Sequence, residues 1–216
     1  MRKLWPGLTV FAVAVAFSLW AAPQLPERVA THWGLDGQPD GWSSRTFALW
    51  LLPLLGIGAA LLFAVLPKVD PRKESYQLHG PTYWMIANTT LAFLSVVHAA
   101  MIAYGIGWPV DVSIVVGVVV GILLVVIGNA MTRLRPNWFM GIRTPWTLSD
   151  DGIWRQTHRL GGYLFSAAGL LVIVAGILRL QAIAYLLIGA VIVAGVVPIV
   201  YSYVLWRRRD ERAVGG

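Results

Sequence analysis

The sequence contains no cysteine and few charged residues among its 216 positions. Without cysteine, neither a disulfide bond nor a thiolate nucleophile can form. Charged residues make up only 12% of the chain, whereas a typical soluble domain carries about a quarter. Hydrophobic residues make up 57%. This composition excludes an ordinary soluble domain and is typical of a chain that lies mostly in lipid.

Catalytic patterns are missing as well. The long apolar segments contain no Asp or Glu, and the sequence has neither an HExxH nor a GxSxG motif. The Ser, His and Asp residues that are present fall on opposite sides of the membrane in the topology derived below, so no nucleophile–base pair is apparent. We therefore expect a protein that is not an enzyme and that needs no cofactor and no metal.

The apolar residues that dominate the chain form six continuous runs. About 20 apolar residues span a bilayer as a helix, and runs without alternation are not barrel strands. The first run is longer than a signal-peptide core, so we expect it to be retained. The sequence thus predicts an all-α integral membrane protein with six transmembrane helices. The runs are Leu4–Ala22, Thr46–Leu66, Tyr83–Ile106, Val112–Met131, Gly162–Leu178 and Ala182–Trp206.

Positive charge is distributed unevenly between the segments that join these runs. If the N-terminus is cytoplasmic, 14 of the 17 Lys and Arg residues face the cytoplasm, and only Arg28, Arg45 and Arg179 face outwards. Cytoplasmic segments of membrane proteins carry such an excess. The asymmetry, rather than affinity for nucleic acid, accounts for the net charge of +7. It predicts that both termini are cytoplasmic.

Two long loops divide the chain into halves. Pro23–Arg45 follows the first run and Met131–Leu160 follows the fourth, so three runs per half place the two loops on opposite sides of the membrane. This layout matches an inverted 3+3 repeat, as found in small transporters. Coincidence of loop lengths is the alternative interpretation, because the halves show no evident sequence identity.

The third run carries a polar stripe. Asn88, Ser95 and His98 fall on one face of a helix. Polar side chains in hydrocarbon face the bundle interior or a wet cavity. The stripe therefore predicts either a path for a proton or solute, or hydrogen bonds between helices.

The first long loop contains a possible metal site and two tryptophans. His32, Asp36 and Asp40 recur every four residues, a spacing that aligns ligands only on a helix, and the intervening Gly and Pro disfavour a helix. The Asp-Gly dipeptides at 36–37 and 40–41 predict turns instead. We expect Trp33 and Trp42 to hold a folded loop at the outer interface.

The second long loop contains the most specific motif, GIRTPWTLSDDGIWRQTHRLGG, from Gly141 to Gly162. We refer to it as the signature segment. Thr147 and Asp150 predict a capping box, followed by a short amphipathic helix over about 148–160. Such a segment can lie on anionic lipid, dock a partner, or serve only to fix topology. Five arginines lie in the loop: Arg133, Arg135, Arg143, Arg155 and Arg159.

These residues carry a family resemblance. Gly141–Ser149, followed by Trp154 and Thr157–Arg159, resembles the signature loop of the SdpI family of bacterial membrane proteins. Pro26–Trp42, with its His-Trp and two Asp-Gly pairs, resembles the DUF1648 domain at the N-terminus of the same proteins. Together the two resemblances cover nearly the whole chain.

The resemblance implies an immunity or signal-transduction protein of the bacterial cell membrane. Such a protein would meet a secreted toxic peptide outside and hold a small winged-helix repressor inside, without contacting nucleic acid itself. The alternative is a small membrane transporter with inverted repeats. The implied divisions are a DUF1648-like region (1–66), a cytoplasmic loop with the third span and a turn (67–111), an SdpI-like region (112–206) and a basic cytoplasmic tail (207–216).

Two sets of candidate contact residues follow. The external set consists of His32, Trp33, Asp36, Asp40 and Trp42. The partner-binding set on the cytoplasmic side consists of Arg143, Thr144, Trp146, Thr147, Trp154, Arg155, His158 and Arg159.

Overall fold

In the part of the chain that the structure describes, six long helices form the body of the molecule, and each is long and apolar enough to cross a membrane. The computed structural model describes residues 3–180 and 182–214, with the side chains of 3–180 and 182–211. The predicted six-helix, all-α fold class is confirmed. In chain order the elements are α1 (Trp5–Ala21), β1 (Arg28–Trp33), β2 (Pro39–Ser44), α2 (Arg45–Val69), α3 (Ser75–Gly105), α4 (Val112–Met131), α5 (Pro145–Ser149), α6 (Asp151–Ile177) and α7 (Ile183–Val214).

Some predicted features fall on residues that are not described. Arg2 and the side chain of Arg212, both counted in the predicted cytoplasmic charge, lie outside the described residues. So do positions 215–216 of the predicted tail. The rest of that tail continues α7 as far as Val214.

Polar side chains fix where several helices begin. Ser44 accepts a hydrogen bond from the N–H of Phe47 at the start of α2, and Asp111 accepts one from the N–H of Ile114 at the start of α4. Asp150 accepts from two N–H groups at the start of α6. Each such cap is worth about 1 kcal/mol, because it satisfies donors that have no partner within the helix. These caps set the boundaries that hydropathy alone leaves open.

The predicted short helix over 148–160 is wrong. Residues 151–177 form one continuous helix, α6, so the second half of the signature segment is the first part of the fifth span. The predicted capping box from Thr147 to Asp150 is also wrong. The box lies one turn earlier, between Thr144 and Thr147, because Pro145 has the fixed φ that starts α5, and Asp150 caps the next helix instead.

Glycines hold α4 against α6. A Cβ on Gly128 would lie 2.7 Å from the carbonyl oxygen of Gly162, and a Cβ on Gly121 would lie 2.8 Å from that of Gly169. Because backbone cannot move aside as a flexible side chain can, these positions admit only hydrogen. Small residues let membrane helices approach closely. This close contact explains why the Gly pair at 161–162 lies inside a continuous helix.

The first long loop forms an antiparallel hairpin of β1 and β2, which the sequence does not predict. The expected turn at Asp36-Gly37 is confirmed: Gly37 has φ +79° and the Asp36 side chain accepts from the N–H of Gln38. The expected turn at Asp40-Gly41 is wrong, because both residues lie in β2. Gly41 is needed there for packing, since a Cβ would lie 2.9 Å from that of His32 on the opposite strand.

The two long loops lie at opposite ends of the bundle. At the hairpin end, Ser113 at the start of α4 donates to the carbonyl of Gly37. At the signature end, the loop before α5 contacts the α2–α3 connection, and Thr144 contacts α7 through Ser202. The halves pack differently, since α1 lies mainly against α3 whereas α4 lies mainly against α6. An inverted 3+3 arrangement therefore stays a prediction from loop lengths.

Candidate functional site

Asn137 shapes the turn that leads into the signature segment. Its side chain is fully buried, accepts from the N–H groups of Phe139 and Met140, and donates to the carbonyls of Arg135 and Met140. Buried polar groups are stable only when they are hydrogen-bonded, and this amide satisfies both its oxygen and its nitrogen. The turn is therefore fixed from inside by one residue that sequence reasoning did not single out.

Trp154 and His158 form the centre of the segment. Both are buried, at 0% and 1% exposed, and their rings stack with centroids 3.9 Å apart. The indole N–H of Trp154 donates to the carbonyl of Leu134 at 2.9 Å. His158 Nε2 accepts from the N–H of Ile142 at 3.0 Å, so its proton lies on Nδ1, which donates to the carbonyl of Trp154. Gly141, at φ +105°, leaves room for the imidazole.

A hydroxyl network joins the segment to the last span. Thr144 and Thr147 cap α5 reciprocally, and Thr144 Oγ1 lies 3.1 Å from Ser202 Oγ in α7. All three hydroxyls are buried. Trp146 continues the contact by packing against the rings of Tyr203 and Trp206.

An ion pair closes the same junction. Arg209 near the end of α7 binds the carboxylate of Asp150, which also caps α6. Burial raises the pKa of Asp150, but the N–H groups of Ile153 and Gly152 and the charge of Arg209 together lower it more, so the net pKa lies below its ordinary value. We refer to the Thr144–Ser202 and Asp150–Arg209 contacts as the α7 clasp.

Asp70, which the sequence analysis missed, ties the α2–α3 connection to the signature end. Its carboxylate is buried and accepts from the Arg72 N–H, the Tyr76 hydroxyl and the Trp138 N–H at 2.7, 2.9 and 3.1 Å. Arg72 in turn donates to the carbonyl of Leu148 at 3.1 Å. An Asp-Pro dipeptide at the end of an apolar run was the available signal.

The eight predicted partner-binding residues therefore divide into two groups. Arg143, Arg155 and Arg159 are exposed, and Trp146 is half-buried. The remaining four hold the fold of the segment from within, so they do not offer a contact surface. Trp138, which was not predicted, is 48% exposed and its carbonyl accepts from the guanidinium of Arg143 at 2.9 Å. The buried residues are Thr144, Thr147, Trp154 and His158.

At the hairpin end, strand pairing brings together two of the five predicted external residues. His32 Nδ1 lies 2.5 Å from Asp40 Oδ1, because β1 and β2 place these side chains side by side. Trp33 turns inward and packs edge-on against Tyr104 of α3, whereas Trp42 stays exposed. Asp36 is exposed and caps the turn. Among the described residues, no group of three or more His, Cys, Asp or Glu side chains converges on a metal position.

The three residues of the polar stripe of α3 make different contacts. Asn88 Oδ1 accepts from the N–H of Gly7 at 2.8 Å, and its Nδ2 donates to the carbonyls of Lys3 and Trp84. Ser95 donates to the carbonyl of Leu91. His98 is buried, and its ring nitrogens have no hydrogen-bond partner within the described part of the chain. The Asn88 contacts agree with hydrogen bonding between helices, here α3 and α1.

These features define the class of protein. The described residues form six membrane-length apolar helices, with a hairpin at one end and a clasped arginine-rich segment at the other, as expected for a multi-pass membrane protein. Residues 133–202 match the SdpI/YfhL protein family, and residues 9–57 match a domain of unknown function, DUF1648. These matches confirm the resemblance to the SdpI family, with a DUF1648-like domain at the N-terminus.

The similarity extends beyond those two regions. The immunity protein SdpI of Bacillus subtilis (strain 168) is 24% identical over 208 residues, which cover 96% of this chain and 98% of the relative. The third and fourth spans, which lie between the matched regions, are therefore included. No solved structure matches the chain.

Proposed function

We propose that this chain is a membrane immunity protein that protects the cell against a toxic peptide arriving from the hairpin side. The observation that carries the proposal is the similarity to an immunity protein along nearly the whole length of both chains. The hairpin supports it, because Trp42 and Asp36 offer exposed apolar and acidic groups where an external peptide would arrive first.

The test is protection of a sensitive host. Expression of the chain should raise the concentration of a cognate killing peptide that the host survives, with peptides encoded beside the gene included in the panel. Replacing Trp42→Ala and Asp36→Asn together should reduce that tolerance at an unchanged amount of protein in the membrane. Trp5→Ala, an exposed tryptophan at the start of α1, at the end of the bundle opposite the hairpin, is the matched control. Failure of protection across the panel, with uptake or expulsion of a solute instead, would replace immunity with the transporter function.

We further propose that the signature end contacts a cytoplasmic partner, such as a small winged-helix repressor. The exposed guanidinium groups of Arg155 and Arg159, one turn apart on α6, are the contact groups that support this part of the proposal. Arg155→Ala and Arg159→Ala should leave stability within about 0.5 kcal/mol of the parent, as exposed substitutions usually do, while they reduce capture of the repressor on membranes. Arg207→Ala, paired with Glu211 on α7, is the control. If a variant that carries both substitutions captures as much repressor as the parent, the signature segment serves only to fix topology.

A further inference from the structure

A cavity of about 410 Å³ lies beneath the hairpin, between the two halves of the bundle. The turn of the hairpin roofs it, and α2, α3, α4 and α7 form its walls. Its lining is almost entirely apolar, with Leu51, Met101, Val116 and Leu187 representing the four helices. The polar stripe of α3 is not part of this lining. The cavity is therefore a separate feature from the buried polar groups described above.

The cavity exists because the helices around it pack in different pairs. α2 lies against α3, whereas α7 lies against α6 and α4. A gap thus remains between α2 and α7 at the hairpin end, where Ile188 near the start of α7 faces Leu52 of α2. A ligand that fills this gap would remove apolar surface from solvent or lipid. It would not disturb the packing of α2 on α3 or of α7 on α6 and α4.

The rim of the cavity is acidic. Gly34 lines it, and a Cβ on Gly34 would lie 2.9 Å from a carboxylate oxygen of Asp36 and 3.1 Å from one of Asp40. Both carboxylates therefore lie beside the rim residue Gly34, where Asp36 also accepts from the N–H of Gln38 and Asp40 lies 2.5 Å from His32 Nδ1. Of the three arginines at this end, Arg28 donates to the carbonyl of Trp42 and Arg45 to that of Pro26 at the base of the hairpin. The third, Arg179, is exposed in the turn before α7. A ligand with positive charge next to apolar groups is complementary to this arrangement.

We propose that the cavity binds the apolar side chains of a cationic amphipathic peptide, whose Lys or Arg lies against Asp36 and Asp40. The inference rests on the proposed function and names the site where the toxic peptide is held. One turn of a helix with its side chains fills on the order of 400 Å³, from a diameter of about 10 Å and a pitch of 5.4 Å. The cavity of about 410 Å³ therefore has the volume of one such turn. The acidic rim disfavours the phosphate of an anionic lipid.

A single cysteine in this cysteine-free chain reports on occupancy. The Leu187→Cys variant, reconstituted in phosphatidylcholine nanodiscs, is treated with N-ethylmaleimide in the presence of a synthetic leucine–lysine peptide. At saturating peptide we expect modification to slow roughly tenfold, as burial of the thiol requires. Val193→Cys, on an exposed face of the same helix, should not change. Equal slowing at both positions would mean general membrane coverage and would overturn the proposal.

Charge selectivity is tested with the same reporter. Asp36→Asn with Asp40→Asn should raise the half-maximal peptide concentration roughly tenfold, which corresponds to about 1.4 kcal/mol. Glu27→Gln, an exposed acid at the base of the hairpin, is the matched control and should change nothing. Three outcomes contradict the proposal: equal protection by a leucine–glutamate peptide, no protection by either peptide, or stronger protection by phosphatidylglycerol, which would make the cavity a lipid site.

Peptide binding in the cavity and immunity of the cell are measured separately. Ala184→Trp places a large ring in the cavity, and Val193→Trp is its control on the same helix. If cells that express Ala184→Trp keep full tolerance to the killing peptide at normal protein levels, the chain confers immunity but the cavity is not the site. If the leucine–lysine peptide protects Leu187→Cys while no cell gains tolerance, the cavity binds peptides but immunity is not the role.

Discussion

His158 is the residue on which the fold of the signature segment depends most directly. Its ring fills the space left by Gly141, stacks on Trp154 and satisfies the buried N–H of Ile142. A histidine with both nitrogens engaged inside a protein acts as a support and not as an exposed contact group. The exposed Arg159 next to it has the opposite character. The two neighbours therefore give a matched pair of substitutions.

We expect His158→Ala to lower the free energy of unfolding by about 2–4 kcal/mol, since it opens a cavity and leaves the N–H of Ile142 without its acceptor. Arg159→Ala should change it by less than about 0.5 kcal/mol. Thermal unfolding in detergent, monitored by aggregation, checks both values. Similar midpoints for the two variants would show that the buried imidazole is not a structural support.

Asp150 gives the α7 clasp a dependence on pH with a definite sign. Because the folded state lowers the pKa of this carboxyl group, its contribution to stability is present above the unfolded pKa and is lost as the pH falls through the folded value. The clasp should therefore hold at neutral pH and loosen in acid below the ordinary value of 3.8. Proteolysis of the signature segment, measured from neutral pH downwards, checks this.

The comparison variants for this prediction are Asp150→Asn and Asp210→Asn. The first should be cleaved faster at neutral pH and should lose most of the acid-induced change, because its side chain cannot ionise. The second removes an exposed carboxylate of α7 from the same end of the molecule and should behave like the parent. An unchanged pH profile in Asp150→Asn would assign the transition to another group.

At the scale of the elements, hydropathy was enough to predict the six helices but not their ends. The run Gly162–Leu178 predicts only the apolar part of α6, because Asp151–Leu160 is mostly polar and two glycines follow it. Packing against α4 overrides that local signal. The hairpin was missed for a related reason: Asp40-Gly41 has the composition of a turn, and only the opposite strand shows that Gly41 is there to admit His32.

A Gly→Ala substitution should have different effects inside the contact between α4 and α6 and outside it. Gly128→Ala should destabilise the protein, because its Cβ would lie 2.6 Å from the backbone nitrogen of Ser166 and 2.7 Å from the carbonyl of Gly162. Gly195→Ala in α7 meets nothing within 4 Å, and should be neutral or stabilising by up to about 1 kcal/mol through helix propensity. Unfolding midpoints decide between them. A stabilising Gly128→Ala would contradict the close contact.

At the scale of the whole molecule, α7 connects the two ends. Its first turns line the cavity beneath the hairpin through Ile183 and Leu187, and its last turns form the clasp through Ser202 and Arg209. Pro198 lies between these regions. Burial and charge pairing between residues so far apart along the chain could not be predicted from the sequence, because they depend on which helices are neighbours. The sequence did predict that the loops at the two ends carry the informative residues.

The orientation of the whole molecule in the membrane follows from the distribution of its positive charge alone. With 14 of 17 Lys and Arg residues in the segments assigned to the cytoplasm, we expect the signature end inside and the hairpin outside. Gln38 in the hairpin turn and Ser149 at the end of α5 are both exposed, and the chain has no other cysteine to confuse the result. An impermeant maleimide applied to intact cells should label Gln38→Cys and not Ser149→Cys, and opening the cells should make both reactive. The reverse pattern would place the arginine-rich segment outside, where it could not meet a cytoplasmic repressor, and would remove the acidic rim from the path of an external peptide.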